Sequence, residues 1–175
     1  MTQKNKIAFL VWGLISLTSW AGPEKSEHNA PQMPKDFDHL KPLIGQWEGI
    51  SKMGKDETLF TASYELTSGG SAILERLFIG SPHEMVSVYH RDGKEIAMTH
   101  YCMLGNQPKM TLKKADPKAI QFEMKGKTGI KSSKEQHMHS LNISWLEPDH
   151  VKQEWVLFEN GAKKDVTVLD LKRKK

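Results

Sequence analysis

The sequence predicts an all-β chain, a single antiparallel up-and-down barrel of about ten strands behind a short amino-terminal helix. From Ile44 onward, apolar residues fall in segments of roughly eight, separated by Gly, Pro, Asn and Asp turn signals, with no second helical period among them. The connections are short enough for consecutive hairpins, so neighbouring strands run antiparallel, and closing the sheet removes exposed edges. A chain of 175 residues with 38% hydrophobic and 26% charged side chains suits one domain with its own core. Wholesale disorder, a fibrous repeat and a polytopic membrane protein do not fit that composition.

The elements follow in order. Lys4 and Lys6 precede an apolar run from Ile7 to Ala21, and Ser19-Trp20-Ala21 puts small residues at the two positions a signal peptidase reads. Residues 1–21 are therefore expected to be a cleaved secretory signal, which makes the protein periplasmic or secreted. The run is shorter than the roughly 20 apolar residues of a spanning helix, so no membrane span is expected after cleavage. Cys102 is the single cysteine, which excludes an internal disulfide and leaves no lipoprotein cysteine at the cleavage site. Removing the signal takes two lysines and no acids, so 25 − 2 leaves 23 basic against 21 acidic residues. That slight excess, much of it in Lys172-Arg173-Lys174-Lys175, is a solvated tail and not a nucleic-acid face. Residues 22–34 are polar, proline-bearing and aperiodic, as in a flexible linker, and the barrel domain spans 35–175.

Asp36 is expected to cap a short helix through Leu43, since Phe37, Leu40 and Ile44 fall three and four apart, and Pro42 keeps it short. Strands are expected at 44–52, 57–67, 72–79, 84–91, 94–103, 109–114, 119–125, 137–147, 151–159 and 163–171. Hairpin register tests them, because opposed residues share a face. A loop at Gly69-Gly70 sets Leu66 opposite Ile73, Tyr64 opposite Glu75, Ala62 opposite Leu77 and Phe60 opposite Ile79. A turn at Asp92-Gly93 pairs Tyr89 with Ile96, Ser87 with Met98 and Met85 with His100; taking this bulkier set as inward brings His100 and Cys102 inside. A loop at 115–117 sets Leu112 on Ile120 and Met110 on Phe122. A loop at 148–150 sets Trp145 on Gln153, Ile143 on Trp155 and Leu141 on Leu157, with His139 on the same face. Asn160-Gly161 then aligns Trp155 with Val166 and Gln153 with Val168.

The opening Leu40-Lys41-Pro42-Leu43-Ile44-Gly45-Gln46-Trp47-Glu48-Gly49 resembles the start of the lipocalin and fatty-acid-binding (calycin) superfamily, where a short helix leads into a first strand bearing Gly-x-Trp. Thr99-His100-Tyr101-Cys102-Met103-Leu104-Gly105-Asn106-Gln107-Pro108 and Ser81-Pro82-His83-Glu84-Met85 resemble a family of uncharacterised secreted bacterial lipocalin-like proteins. The resemblance covers residues 36–160 and implies a barrel and export, with no established activity. Nitrobindin-type haem-binding barrels share the general architecture, but no residue here is matched to their axial histidine.

These registers gather polar side chains on an apolar inner face: Tyr64, Glu75, His100, His139 and Gln153 among Phe60, Leu66, Leu77, Met98, Ile143 and Trp155. Unpartnered burial would cost each polar group about 1–3 kcal/mol, and a charge more. Pockets for small molecules, by contrast, are mostly apolar with a few convergent polar groups. The leading expectation is therefore a small-molecule-binding barrel with a partly apolar ligand, contacted by Tyr64, Glu75, His100, His139, Gln153 and Trp155; the same groups serve equally well as mutual core partners. The competing class is a non-catalytic envelope interaction or stress-related protein with a filled barrel, and roughly 300 Å³ of internal space separates the two. Lesser readings are a zinc-like site from His137, His139 and His100, a haem site on one inward histidine, and an enzyme using Glu75 or His100 as general base with Asn106 or Gln107 orienting substrate. No cofactor is identified. Cys102 reads as a buried, inert thiol, the six methionines at 85, 98, 103, 110, 124 and 138 as flexible core filler, and 126–136 as either a lid or a plain loop.

Overall fold

A computed structural model describes residues 32–175; the expected signal and most of the expected linker lie outside the described residues. Ten strands form one closed antiparallel barrel in sequence order, β1 sealing against β10. They are β1 Gly45–Met53, β2 Asp56–Thr67, β3 Ala72–Leu77, β4 Met85–Asp92, β5 Glu95–Tyr101, β6 Lys109–Asp116, β7 Ala119–Met124, β8 His137–Glu147, β9 His150–Glu159 and β10 Ala162–Arg173. Each begins and ends within two residues of its expected limits.

The helix is a 3₁₀ segment, Lys35–Leu43, preceded by Pro34 and lacking a side-chain cap, so Asp36 lies inside its first turn and caps nothing. Its Phe37, Leu40 and Leu43 are buried and belong to the same core as Trp47. This segment plugs the end of the barrel where β1 begins. Trp47 Nε1 donates to Leu43 O at 2.7 Å, and the Arg173 guanidinium lies 4.3 Å above the indole. Arg173 also donates to Ile44 O (2.8 Å), Pro42 O (2.7 Å) and Asp149 Oδ1 (2.7 Å), tying the last strand to the plug. Gly49 permits the seam: a Cβ there would lie 1.9 Å from Asp170 O.

The β2–β3 register is the expected one, with Ala62, Tyr64 and Leu66 opposite Leu77, Glu75 and Ile73. Phe60 does not pair with Ile79, because β3 stops at Leu77 and Phe78 turns to φ 58°, its ring stacked on Phe60 at 4.5 Å. Three other hairpins differ from expectation by two residues, a slip that preserves the face. Tyr89 opposes Met98 and Ser87 opposes His100; Leu112 opposes Phe122 and Met110 opposes Met124; Ile143 opposes Gln153, Leu141 opposes Trp155 and Trp145 opposes Val151.

Two of the four bulges in the sheet overturn an expected inward placement. One extra residue between Lys163 and Asp165 in β10 pairs Thr167 with Trp155 and Leu169 with Gln153, so Leu169 and Leu171 fill the core while Val166 and Val168 do not point inward. A second bulge between Met138 and Ser140 reverses the start of β8. Met138 opposes the buried Leu157 and His137 opposes Phe158, and His139 stacks on Phe158 with ring centres 3.9 Å apart. His139 is therefore on the outer face, contrary to the inward placement its alternation with Leu141 predicts.

Candidate functional site

One transverse row crosses four neighbouring strands. Tyr64 pairs with Glu75, Glu75 with Ser87 and Ser87 with His100, all inward because every strand in the row keeps its alternation. Gln153 and Trp155 reach the row from β9, and Tyr89 comes from the next inward position of β4. All of these side chains are buried, Glu75 completely.

Glu75 is surrounded by donors. The Tyr64 hydroxyl donates to Oε1 at 2.6 Å, Gln153 Nε2 to Oε1 at 3.1 Å and the Tyr89 hydroxyl to Oε2 at 3.1 Å. Gln153 Nε2 also donates to the Tyr64 oxygen. Its other end accepts from Trp155 Nε1 at 2.8 Å; an indole only donates, so the amide orientation is unambiguous. Burial pushes the Glu75 carboxyl up, opposed by hydrogen bonds from Ser87, Tyr64, Gln153 and Tyr89. Burial and then the Glu75 charge push both tyrosines well above their usual value, so they remain donors.

His100 differs from the rest. It is 1% exposed, its Nδ1 lies 3.0 Å from Ser87 Oγ, and its ring packs 4.5 Å from the Trp155 ring, yet Nε2 has no protein partner. Burial pushes the imidazole down to about 4, so it is neutral at neutral pH. His100 lines a recess of about 20 Å³ together with Leu77, Phe78, Met85, Met138, Trp155, Thr167 and Leu169. That volume holds about one water.

A stability prediction follows from the sign of this shift. The folded state resists protonation of His100 from its ordinary 6.5 down to about 4, so stability contributed by the neutral ring is complete above 6.5 and falls as pH drops through that window. Glu75 works the opposite way, its raised carboxyl favouring the fold as pH falls. Urea midpoints between pH 7 and pH 4 should thus decline more steeply for the wild type than for His100→Leu, and parallel declines would sink the assignment.

Of the six residues expected to contact a ligand, Tyr64, Glu75, His100, Gln153 and Trp155 come together and His139 does not. The first two, with Gln153 and the Trp155 N–H, spend their polar groups on one another. His139 Nδ1 is 3.3 Å from His137 Nε2 on the outer face, and His137 Nδ1 contacts Glu135 O at 2.6 Å, so these histidines and the inward His100 do not converge on one metal. Among the described residues, no three His, Cys, Asp or Glu side chains cluster as a metal site. Asn106 is committed to the long β7–β8 connection, its Nδ2 donating to Glu135 Oε1 (3.0 Å) and Gln136 O (2.8 Å). That connection is pinned further by Gln107 N to Gly129 O at 3.0 Å and Lys109 N to Thr128 O at 3.2 Å. Gly129 makes the approach possible, since at φ 81° a Cβ would sit 1.7 Å from Gln107 O. The Cys102 thiol is buried and pushed up by that burial, away from the reactive thiolate. Ser87 and Tyr89 complete the network without having been singled out from sequence; the alternation that turns Tyr89 inward carries Ser87 with it.

No protein-family model matches the chain, and no curated protein matches it. Among solved structures, the chain is similar to a protein of unknown function from the DUF3598 family of Nostoc punctiforme, with 11% identity and a TM-score of 0.53 over 77% of this chain and 49% of that one. The chain thus spans about half the length of that protein, and the likeness is one of fold. A redesigned β-barrel aligns over 78% of this chain and 96% of its own at 10% identity, with a TM-score of 0.38.

Proposed function

We propose that the protein is an exported barrel that binds one small, partly apolar molecule in the recess beside His100, and that it belongs with the secreted lipocalin-like proteins its Gly45-Gln46-Trp47 opening resembles. The observation that supports binding is the unpartnered Nε2 of a fully buried imidazole, next to a cluster whose other polar groups are all bonded. Left with neither a ligand nor a water in the recess, that atom would cost the fold about 1–3 kcal/mol. The walls suit an apolar body. Met85 and Met138 are unbranched and adaptable, and Phe78 holds a positive φ of 58° of the kind found at ligand clamps. Admitting a molecule larger than a water requires these three side chains to move aside. Export is supported by Lys4, Lys6, the apolar run to Ala21 and its Ser19-Trp20-Ala21 end.

A second reading is the non-catalytic envelope interaction protein with a filled barrel. It is favoured by the recess volume of about 20 Å³, far below the roughly 300 Å³ of ordinary ligand pockets. Native mass spectrometry of the protein isolated from the envelope of its own cells separates the two. The expected result is a chain beginning at Gly22 that carries one bound species, retained by the wild type and lost from a folded His100→Leu variant. A chain still carrying residues 1–21 would refute export, and an empty wild type would favour the filled barrel.

A further inference from the structure

We infer that the molecule bound beside His100 meets it as a hydrogen-bond donor, through an O–H or N–H group, because Glu75 acting through Ser87 keeps the imidazole proton on Nδ1 and leaves a lone pair on Nε2. This rests on the binding reading above and narrows the ligand class.

One placement of protons satisfies the groups around Glu75 and sets the tautomer of His100. Glu75 accepts from the Tyr64 hydroxyl, the Tyr89 hydroxyl and the Gln153 amide, and the amide is locked in that sense by the donor-only indole of Trp155. Each of these three neighbours can offer a hydrogen, and with all three donating the carboxyl serves as an acceptor-only carboxylate. Ser87 stands between Glu75 and His100 in the strand register, its side chain is one of the hydrogen-bond partners that hold the Glu75 carboxyl down against burial, and its hydroxyl carries a single proton. The charged acceptor takes that proton, since a hydrogen bond to an ionised group is about twice as strong as one to a neutral group. The Ser87 oxygen, 3.0 Å from Nδ1, is then left to accept, and His100 supplies Nδ1–H. A neutral imidazole with its proton on Nδ1 presents a bare lone pair at Nε2. Ser87 is a positioning residue here: it touches no ligand, yet it selects which ligand chemistry His100 accepts. An acceptor-only molecule, such as a ketone or an ether, would set two lone pairs against each other.

The tautomer can be read without any ligand. Long-range ¹H–¹⁵N correlation spectra of ¹⁵N-histidine protein at neutral pH should show His100 as the Nδ1–H form. Ser87→Ala should abolish that dominance by removing the acceptor. Glu75→Gln should move the proton toward Nε2, because an amide can donate to Ser87 and turn its hydroxyl toward Nδ1. Titration with phenol and with toluene, matched in size and differing in the hydroxyl, should perturb the His100 nitrogens with phenol at about tenfold tighter affinity, as one hydrogen bond provides. An Nε2–H form in the wild type overturns the inference, whether or not anything binds. Equal affinity for the two probes overturns the donor preference while leaving the binding reading intact. An Nδ1–H wild type that responds to neither probe overturns the binding reading and the ligand class with it.

Discussion

Replacing Glu75 by alanine is expected to destabilise the barrel by about 3–5 kcal/mol, in the range found when one member of a buried charged network is removed. The loss has two parts. The side chain fills space at the centre of a wholly buried row, and its removal leaves a cavity. It also strips an acceptor from the Tyr64 and Tyr89 hydroxyls and the Gln153 amide, all of them buried. Trp155 and His100 would lose their support in turn, since Gln153 holds the indole at 2.8 Å and the indole packs on the His100 ring. Urea unfolding at neutral pH measures this directly, as a lower midpoint at unchanged slope. A change below about 1 kcal/mol would show that the tyrosines find other partners and that the row is not a cooperative unit. Ligand retention alone cannot distinguish a contact role for Glu75 from its support of His100, because the substitution disturbs both.

Gly49→Ala should cost above about 4 kcal/mol, among the exceptional losses for a single methyl group. The added Cβ would lie 1.9 Å from Asp170 O and 2.9 Å from its carbonyl carbon, both backbone atoms of the facing strand. No side chain can swing away to relieve the clash. Relief requires β1 and β10 to separate where Gly49 faces Leu171 and Ile50 faces Asp170, which opens the closed sheet at its seam. Two edges would then be exposed, each able to pair with another chain. The variant should therefore lose its thermal transition near the wild-type temperature and gain a concentration-dependent tendency to associate. Wild-type stability with a monomeric elution profile would refute the view that contact at this glycine sets the closure.

The barrel, its strand count and the inward turn of Tyr64, Glu75, His100, Gln153 and Trp155 follow from the sequence by itself. Alternation along a strand and pairing across a hairpin are local properties, and a misplaced turn that slips a register by two residues returns every side chain to the same face. That is why Tyr89 and Ile96 were legible as inward although each opposes a different partner from the one a turn at Asp92-Gly93 predicts. The tertiary structure decided what a single inserted residue does. The bulges beside His139 and Lys164 leave no mark in composition, yet each reverses a face, taking His139 out of the interior and bringing Leu169 in. It also decided who satisfies whom. Tyr64 and Gln153 are 89 residues apart, and only closure of the barrel brings Gln153 to Glu75, leaving the His100 Nε2 beside this cluster without a protein partner. Partnering and free volume in a core depend on the packing of all its walls at once, whereas strand and face depend on each segment's own pattern.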